Sequence, residues 1–272
     1  MTDDSTFEPP DDPAAVAAAG PESGPDGTAD PVYAVGIGPG DDGYLTRRGD
    51  ALLADADVVV GFETVVDYVR DRTEAELLTC GYDDEAATLA TFAERVAAGA
   101  DGVAVLMGDP NHSGYQLVGK VEAALDRPVR VVPGISSLQV AASRARTPME
   151  ETTFVTLHKR GPIEADRERL RQDVGDRHLL VLPRPFDWMP GDVAADLLGS
   201  GADPELTALV FERLTHDDET TTRTTLGELA DHAGGSGREE TPFSDLSVLA
   251  VRAGDSGATG DGEAAPGTGG SS

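Results

Sequence analysis

Three short glycine-bearing segments constrain the fold of this 272-residue chain more than any other feature. They are GIGPGDDGYLT at 36–46, LMGDPNHSG at 106–114 and VVPGISS at 131–137. Each follows a β-branched run, at 32–35, 103–106 and 129–132, and each precedes a stretch that reads as helix. Glycine at a strand end lets backbone approach a ligand closely, and a helix N-terminus beside it offers unpaired N–H groups. One such turn is ordinary strand–helix punctuation. Three of them between residues 36 and 137 point to a shared ligand cleft.

Familiar nucleotide signatures do not account for them. A dinucleotide fingerprint needs glycine three residues after Gly38, and Asp41 stands there. A phosphate-binding loop fails as well, because Gly119-Lys120 runs into Val121 without an upstream glycine loop. Cys80 is the single cysteine, which excludes a disulfide framework and reads as a small buried hydrophobe. No run approaches the ~18 apolar residues of a membrane span. The alanine run at 14–19 follows an acidic stretch, the reverse of a secretory leader, so a soluble cytoplasmic protein is expected.

The net charge is −29, and lysine is confined to Lys120 and Lys159. Acidic residues are scattered over helix faces and loops rather than gathered in one block, which favours adaptation to concentrated salt over a cationic partner. At ~1 M salt the Debye length is ~3 Å, so long-range repulsion of an anionic substrate largely vanishes. No basic stripe is visible, and nucleic-acid binding is not expected.

The pattern predicts strands at 32–37, 57–60, 77–80, 103–107 and 129–132, with helices at 44–56, 63–71, 85–98 and 113–125 between them. This describes a parallel sheet covered on both faces. A helix at 136–146 bridges to a second half, with strands at 153–157, 178–182, 207–212 and 246–252 and helices at 164–172 and 192–198. Residues 220–225, five threonines in six positions, suit an antiparallel strand. Residues 234–240 read as a loop insertion. The expected organisation is a disordered acidic tail at 1–31, an N-terminal α/β domain at 32–135, a C-terminal α/β domain at 136–252 and a disordered Gly/Ser-rich tail at 253–272.

Taken together, the three motifs resemble the tetrapyrrole (corrin/porphyrin) methylases over roughly residues 32–252. Within that family, PGISSLQVAASRARTP at 133–148 followed by FVTLHKRG at 154–161 looks most like the cobalt-precorrin-7 C5-methyltransferases. The resemblance implies two α/β domains with S-adenosyl-L-methionine between them, a tetrapyrrole small-molecule substrate, a homodimer, and a role in cobalamin biosynthesis. It also implies the contacts. Pro39 lies near the cofactor in the first loop. Gly108 and Asp109 meet its ribose or amino group, with helix capping the other role open to Asp109. His112 falls where relatives place a cofactor-touching residue. Ser136 and Ser137 offer N–H and hydroxyl groups, and Leu182 and Leu214 wrap the adenine. Met107 departs from the small residue usual in relatives, and LPRP at 182–185 departs from the polar turn expected there.

His158-Lys159-Arg160 is the one dense basic cluster. Precorrins carry many carboxylates, so Lys159, Arg160 and Arg184 are the substrate-binding candidates, followed by Arg144 and Arg213. Balance of the cluster by Glu151 or Glu164 is the competing reading. Sulfonium methyl transfer needs neither metal nor protein nucleophile, so the lack of a catalytic triad is no objection. A general base remains open among His112, Asp109 and His158, and no catalytic residue is assigned. Some relatives carry a second module acting at C15; this chain is expected to act at C5 alone. The same motifs leave room for another ring position, for a protein or RNA substrate, or for a non-catalytic ligand carrier.

Overall fold

A computed structural model of the protein describes residues 7–21, 30–112, 114–185, 187–234 and 241–254. Five strands, Val32–Gly36 (β1), Val58–Phe62 (β2), Glu76–Cys80 (β3), Gly102–Leu106 (β4) and Val129–Val132 (β5), form an all-parallel sheet in the order β3-β2-β4-β1-β5. After a short helix at Pro13–Ala17 (α1), the helices of this half are Arg47–Ala54 (α2), Glu63–Asp67 (α3), Glu85–Ala97 (α4) and Tyr115–Ala124 (α5). The strands alternate in what they bury. Ala34, Val58, Val60 and Ala104 face Leu89 and Phe92 of α4 and Val118 and Val121 of α5. Val35, Val59, Val103 and Val105 face Leu53 of α2 and Val65 and Val66 of α3. Runs such as Val58-Val59-Val60 are therefore apolar throughout because both faces are covered.

Strand order brings the three motifs together. β4, β1 and β5 are adjacent and parallel, so the loops that leave their C-terminal ends open at one edge of the sheet.

The second half begins with Ser137–Ala145 (α6), then Thr152–Thr156 (β6), Glu164–Asp173 (α7), His178–Leu182 (β7), Pro190–Gly199 (α8), Thr207–Glu212 (β8), Thr220–Thr225 (β9), Leu226–Ala230 (α9) and Ser247–Val251 (β10). Its sheet runs β6-β7-β10-β8-β9; only β6 and β7 pair in parallel, and β9 lies antiparallel to β8 as the threonine run suggested. Leu138, Ala141 and Ala145 of α6 pack on Leu180, Phe211, Val248 and Ala250, while α8 and α9 cover the opposite face. Because β10 runs against β7 and β8, its first residues share an edge with their last ones.

Two expectations change. The segment at 1–31 is not an unfolded tail throughout: Asp12 accepts the N–H of Ala15 at 3.2 Å, Pro13 opens α1, and the helix packs on α5 at Gly119. Only a glycine lets Pro13 approach there, a tertiary contact that composition does not announce. The predicted helix at 44–56 starts late, because Thr46 caps α2 through Gly49 N–H at 3.1 Å and a 3₁₀ turn fills Asp42–Tyr44. Cys80 is buried, its thiol pushed up to about 11 chiefly by burial, as befits a packing residue. The stretch 235–240 and the tail at 255–272 lie outside the described residues. Among the described residues, no helix is long and apolar enough to cross a membrane.

Candidate functional site

The three glycine motifs meet at one point. Gly38 and Gly108 pair as an antiparallel bridge, with Gly108 N–H donating to Gly38 O at 2.7 Å and Gly38 N–H returning to Gly108 O at 3.2 Å. A Cβ on Gly36 would stand 2.6 Å from Gly108 O and 2.7 Å from Gly134 N. Gly134 in turn lies against the backbone of both Gly36 and Gly108. Gly36 and Gly134 are thus held to backbone size by the neighbouring loops, whereas at Gly108 it is the φ of 66° that favours glycine.

Next to this junction a cleft of about 270 Å³ opens between the two sheet edges. Its first-half wall is Pro39, Met107, Gly108, Asp109 and His112, with Ser136 and Ser137 at the head of α6. The second half supplies His158 after β6, Leu182 and Pro183 after β7, Arg213, Leu214 and His216 after β8, and Asp245 to Val248 at the start of β10. All eight residues expected to touch the cofactor line this one cleft: Pro39, Gly108, Asp109, His112, Ser136, Ser137, Leu182 and Leu214.

Several are held by local structure. Asp109 is 9 % exposed, and its Oδ1 accepts both the backbone N–H of Asn111 at 2.9 Å and its side-chain amide at 2.7 Å. These bonds close a local turn at 109–111 and not the helix cap that was the other role open to Asp109: α5 starts at Tyr115 with Gly114 at its N-cap and no side-chain cap bond. Ser136 closes a capping box: its hydroxyl accepts Leu138 N–H at 3.2 Å, and its own N–H donates to Gln139 Oε1 at 2.8 Å. His112 crosses to the second half, its ring edge-on to Phe154 with centroids 5.5 Å apart.

The turn after β8 carries the backbone strain of the site. Arg213 and Thr215 have φ of 51° and 71°, left-handed values uncommon for side-chain-bearing residues. That conformation lets Thr215 Oγ1 accept Asp41 N–H at 3.1 Å and turns His216 toward Tyr68, whose hydroxyl lies 3.4 Å from Nδ1. The first glycine loop and the second half are joined here.

Of the cations expected to bind substrate, Arg213 lines the cleft, and Lys159, Arg160, Arg184 and Arg144 are not among its lining residues. Lys159 pairs with Asp166 at 2.6 Å, not with Glu151 or Glu164. Arg184 closes its fork on Asp187 at 2.6 and 2.8 Å and donates to Gly161 O at 3.2 Å. Arg160 is exposed and outside the cleft lining. Arg144 pairs with Glu219 at 3.3 Å, and Arg213, which does line the cleft, pairs with Asp218 at 2.7 Å.

The family model of the tetrapyrrole (corrin/porphyrin) methylases matches residues 31–230. The chain belongs to that family. Its members are S-adenosylmethionine-dependent methyltransferases. This methylase is 28% identical over 204 residues to a probable cobalt-precorrin-7 C(5)-methyltransferase of Methanocaldococcus jannaschii, an alignment covering 73% of this chain and 91% of that one. Among solved structures, a cobalt precorrin-4 methyltransferase superposes with TM-score 0.63 at 23% identity, covering 81% of this chain and 94% of the other. The uroporphyrin-III C-methyltransferase of Thermus thermophilus, complexed with S-adenosylhomocysteine, superposes with TM-score 0.61 at 24% identity, covering 82% and 97%.

Sequence reasoning missed His216, Asp245 and Ser247 in the methylase cleft. Ser247 Oγ is buried with no hydrogen-bond partner among the described residues, a polar atom suited to a bound ligand. Its position at the start of β10 follows from antiparallel pairing, which periodicity does not reveal. The strained turn at 213–216 left no glycine as a signal.

Proposed function

We propose that this methylase transfers a methyl group from S-adenosylmethionine to a corrin precursor, cobalt-precorrin-7, at C5 in cobalamin biosynthesis. The observation that carries the methyl-transfer reading is the convergence of three glycine motifs and four second-half strand ends on one cleft of mixed lining. The alignment with the Methanocaldococcus jannaschii protein, over most of that protein's length, supports the ring position.

The residues fit the donor. Its polar amino-acid and ribose portions are matched by the second oxygen of Asp109, by Ser136 and Ser137, and by the unpartnered hydroxyl of Ser247. Its adenine is matched by Leu182, Pro183, Leu214 and Val248. The Gly36–Gly108–Gly134 junction keeps the adjoining floor free of side chains. When bound, the donor supplies an activated methyl on a positive sulfur. The chain's residues contribute alignment and exclusion of water, an effect that reaches ~7–11 kcal/mol in well-oriented reactions. Arg213, which lines the cleft, is the cation we assign to the substrate's carboxylates; Lys159, paired with Asp166, and the exposed Arg160 follow His158 outside the cleft lining.

The experiment is an assay of S-adenosylhomocysteine formation with cobalt-precorrin-7, with mass and NMR locating the new methyl. A product methylated at C5 is the expected result; a methyl on another carbon favours the alternative of a different precorrin position.

A further inference from the structure

The proposed transfer leaves one proton to be placed. A ring carbon that gains a methyl group while still bearing hydrogen must release that hydrogen as a proton before the macrocycle recovers its conjugation. The cleft holds several groups with a basic atom, and most are engaged. Asp109 is tied to Asn111 through Oδ1. His216 has Nδ1 at the Tyr68 hydroxyl and its ring on Gly40. His112 lies edge-on to Phe154 next to the Gly108–Asp109 turn, on the wall assigned to the donor.

His158 differs on each count. It makes no hydrogen bond or ion pair among the described residues, so both ring nitrogens remain available to a ligand. It is solvent-exposed at the cleft wall and directly precedes Lys159 and Arg160.

Resting on the C-methylation reading, we infer that His158 is the catalytic base that takes the proton from the methylated ring carbon. In that step the C–H bond breaks, its electron pair returns to the ring, and an imidazole nitrogen gains the proton. Exposure to solvent lets His158 pass the proton to water afterwards. The surrounding walls remove part of its hydration and lower its pKa from the ordinary 6.5, while Asp245 opposes the shift, so the imidazole is neutral at neutral pH. The other charged or titratable groups sharing the cleft are Asp109, His112, Arg213 and His216.

The test compares the wild type with His158→Gln and Asp245→Asn. NMR titration of the unliganded protein identifies His158 as the resonance missing in His158→Gln. Its pKa is expected below 6.5, and lower still in Asp245→Asn, because losing a negative neighbour disfavours the imidazolium. In turnover with cobalt-precorrin-7, the acid limb of kcat/KM should follow that pKa and move to lower pH in Asp245→Asn. His158→Gln should lose about 10²–10⁴-fold in kcat while binding S-adenosylhomocysteine as the wild type does. An unchanged kcat and acid limb in His158→Gln overturn the base assignment and leave the methylation reading standing. Failure of the wild type to methylate any cobalt-precorrin overturns both.

Discussion

His216 lays its imidazole against Gly40 so closely that a methyl group on Gly40 would meet the ring. Gly40 also has φ of 147°, a conformation that side-chain-bearing residues rarely adopt. The two residues lie on opposite halves of the protein; His216 lines the cleft, and Gly40 follows Pro39, which also lines it. Gly40→Ala is expected to cost about 1–3 kcal/mol of stability from backbone strain alone. It should also displace His216 and weaken S-adenosylhomocysteine binding. Adding His216→Ala relieves the steric part and leaves the strain. A double-mutant cycle by urea denaturation, with calorimetry for binding, checks this: strictly additive effects would mean the two residues do not couple.

Gly134 tests the meeting point of the motifs more severely. Its φ is not left-handed, so Gly134→Ala isolates sterics from strain. The new Cβ falls on backbone of Gly36 and Gly108, which cannot rotate away as a side chain would. Overpacking of this kind costs about 1–3 kcal/mol, occasionally more. The expected outcome is a lower denaturation midpoint with loss of donor binding. Full retention of both would show that the three loops are not mutually constrained.

Lys120, one of two lysines in the chain, pairs with Glu85 at the start of α4, and their side chains are only 14% and 9% exposed. Removing one partner strands a buried charge. Lys120→Met should therefore destabilise by about 3–5 kcal/mol, whereas the double change Glu85→Leu, Lys120→Met should be far milder. Urea melts of the two variants decide the matter; equal losses would contradict the pairing.

Several strands of both halves were legible in the sequence because their signals are local. β5, β7, β8 and β9 fall on the predicted residues, where β-branched or apolar runs end at glycine, proline or a charged turn. Of the eight cleft residues expected to touch the cofactor, six lie in the glycine motifs that mark strand ends, and Leu182 and Leu214 came from the family resemblance. What stayed hidden depends on contacts distant in sequence. α1 forms where Pro13 finds Gly119, and Ser247 reaches the cleft only because β10 runs between β7 and β8. Arg184 looked available because sequence does not show its fork closing on Asp187.

The charge excess makes a further prediction. With net charge −29, like-charge repulsion opposes the compact state, and salt screens it over a Debye length that falls from ~10 Å at 0.1 M to ~3 Å at 1 M. We propose that the surface is adapted to concentrated salt, so the thermal midpoint should climb steadily from 0.1 M to about 1 M potassium chloride. A midpoint insensitive to salt would remove that explanation.

Acid should act through two histidines whose pKa values lie below the ordinary histidine value. Burial lowers that of His178 first, with Arg252 and Arg177 adding to the effect against Glu151. Its Nδ1 also accepts the N–H of Ala253 at 2.8 Å, a bond that exists only while that nitrogen is unprotonated. Partial loss of hydration does the same for His158. A depressed histidine binds its proton more weakly folded than unfolded. The stability it contributes is therefore fully present above the unfolded value of about 6.5 and is lost as pH falls through the lower folded value. Thermal midpoints measured from pH 8 downward should stay level until near 6.5 and then decline. In His178→Asn, which keeps a polar side chain without the titrating ring, the level part should sit lower and the decline should be shallower. A variant with the same downward slope as the wild type would place the acid sensitivity in other groups.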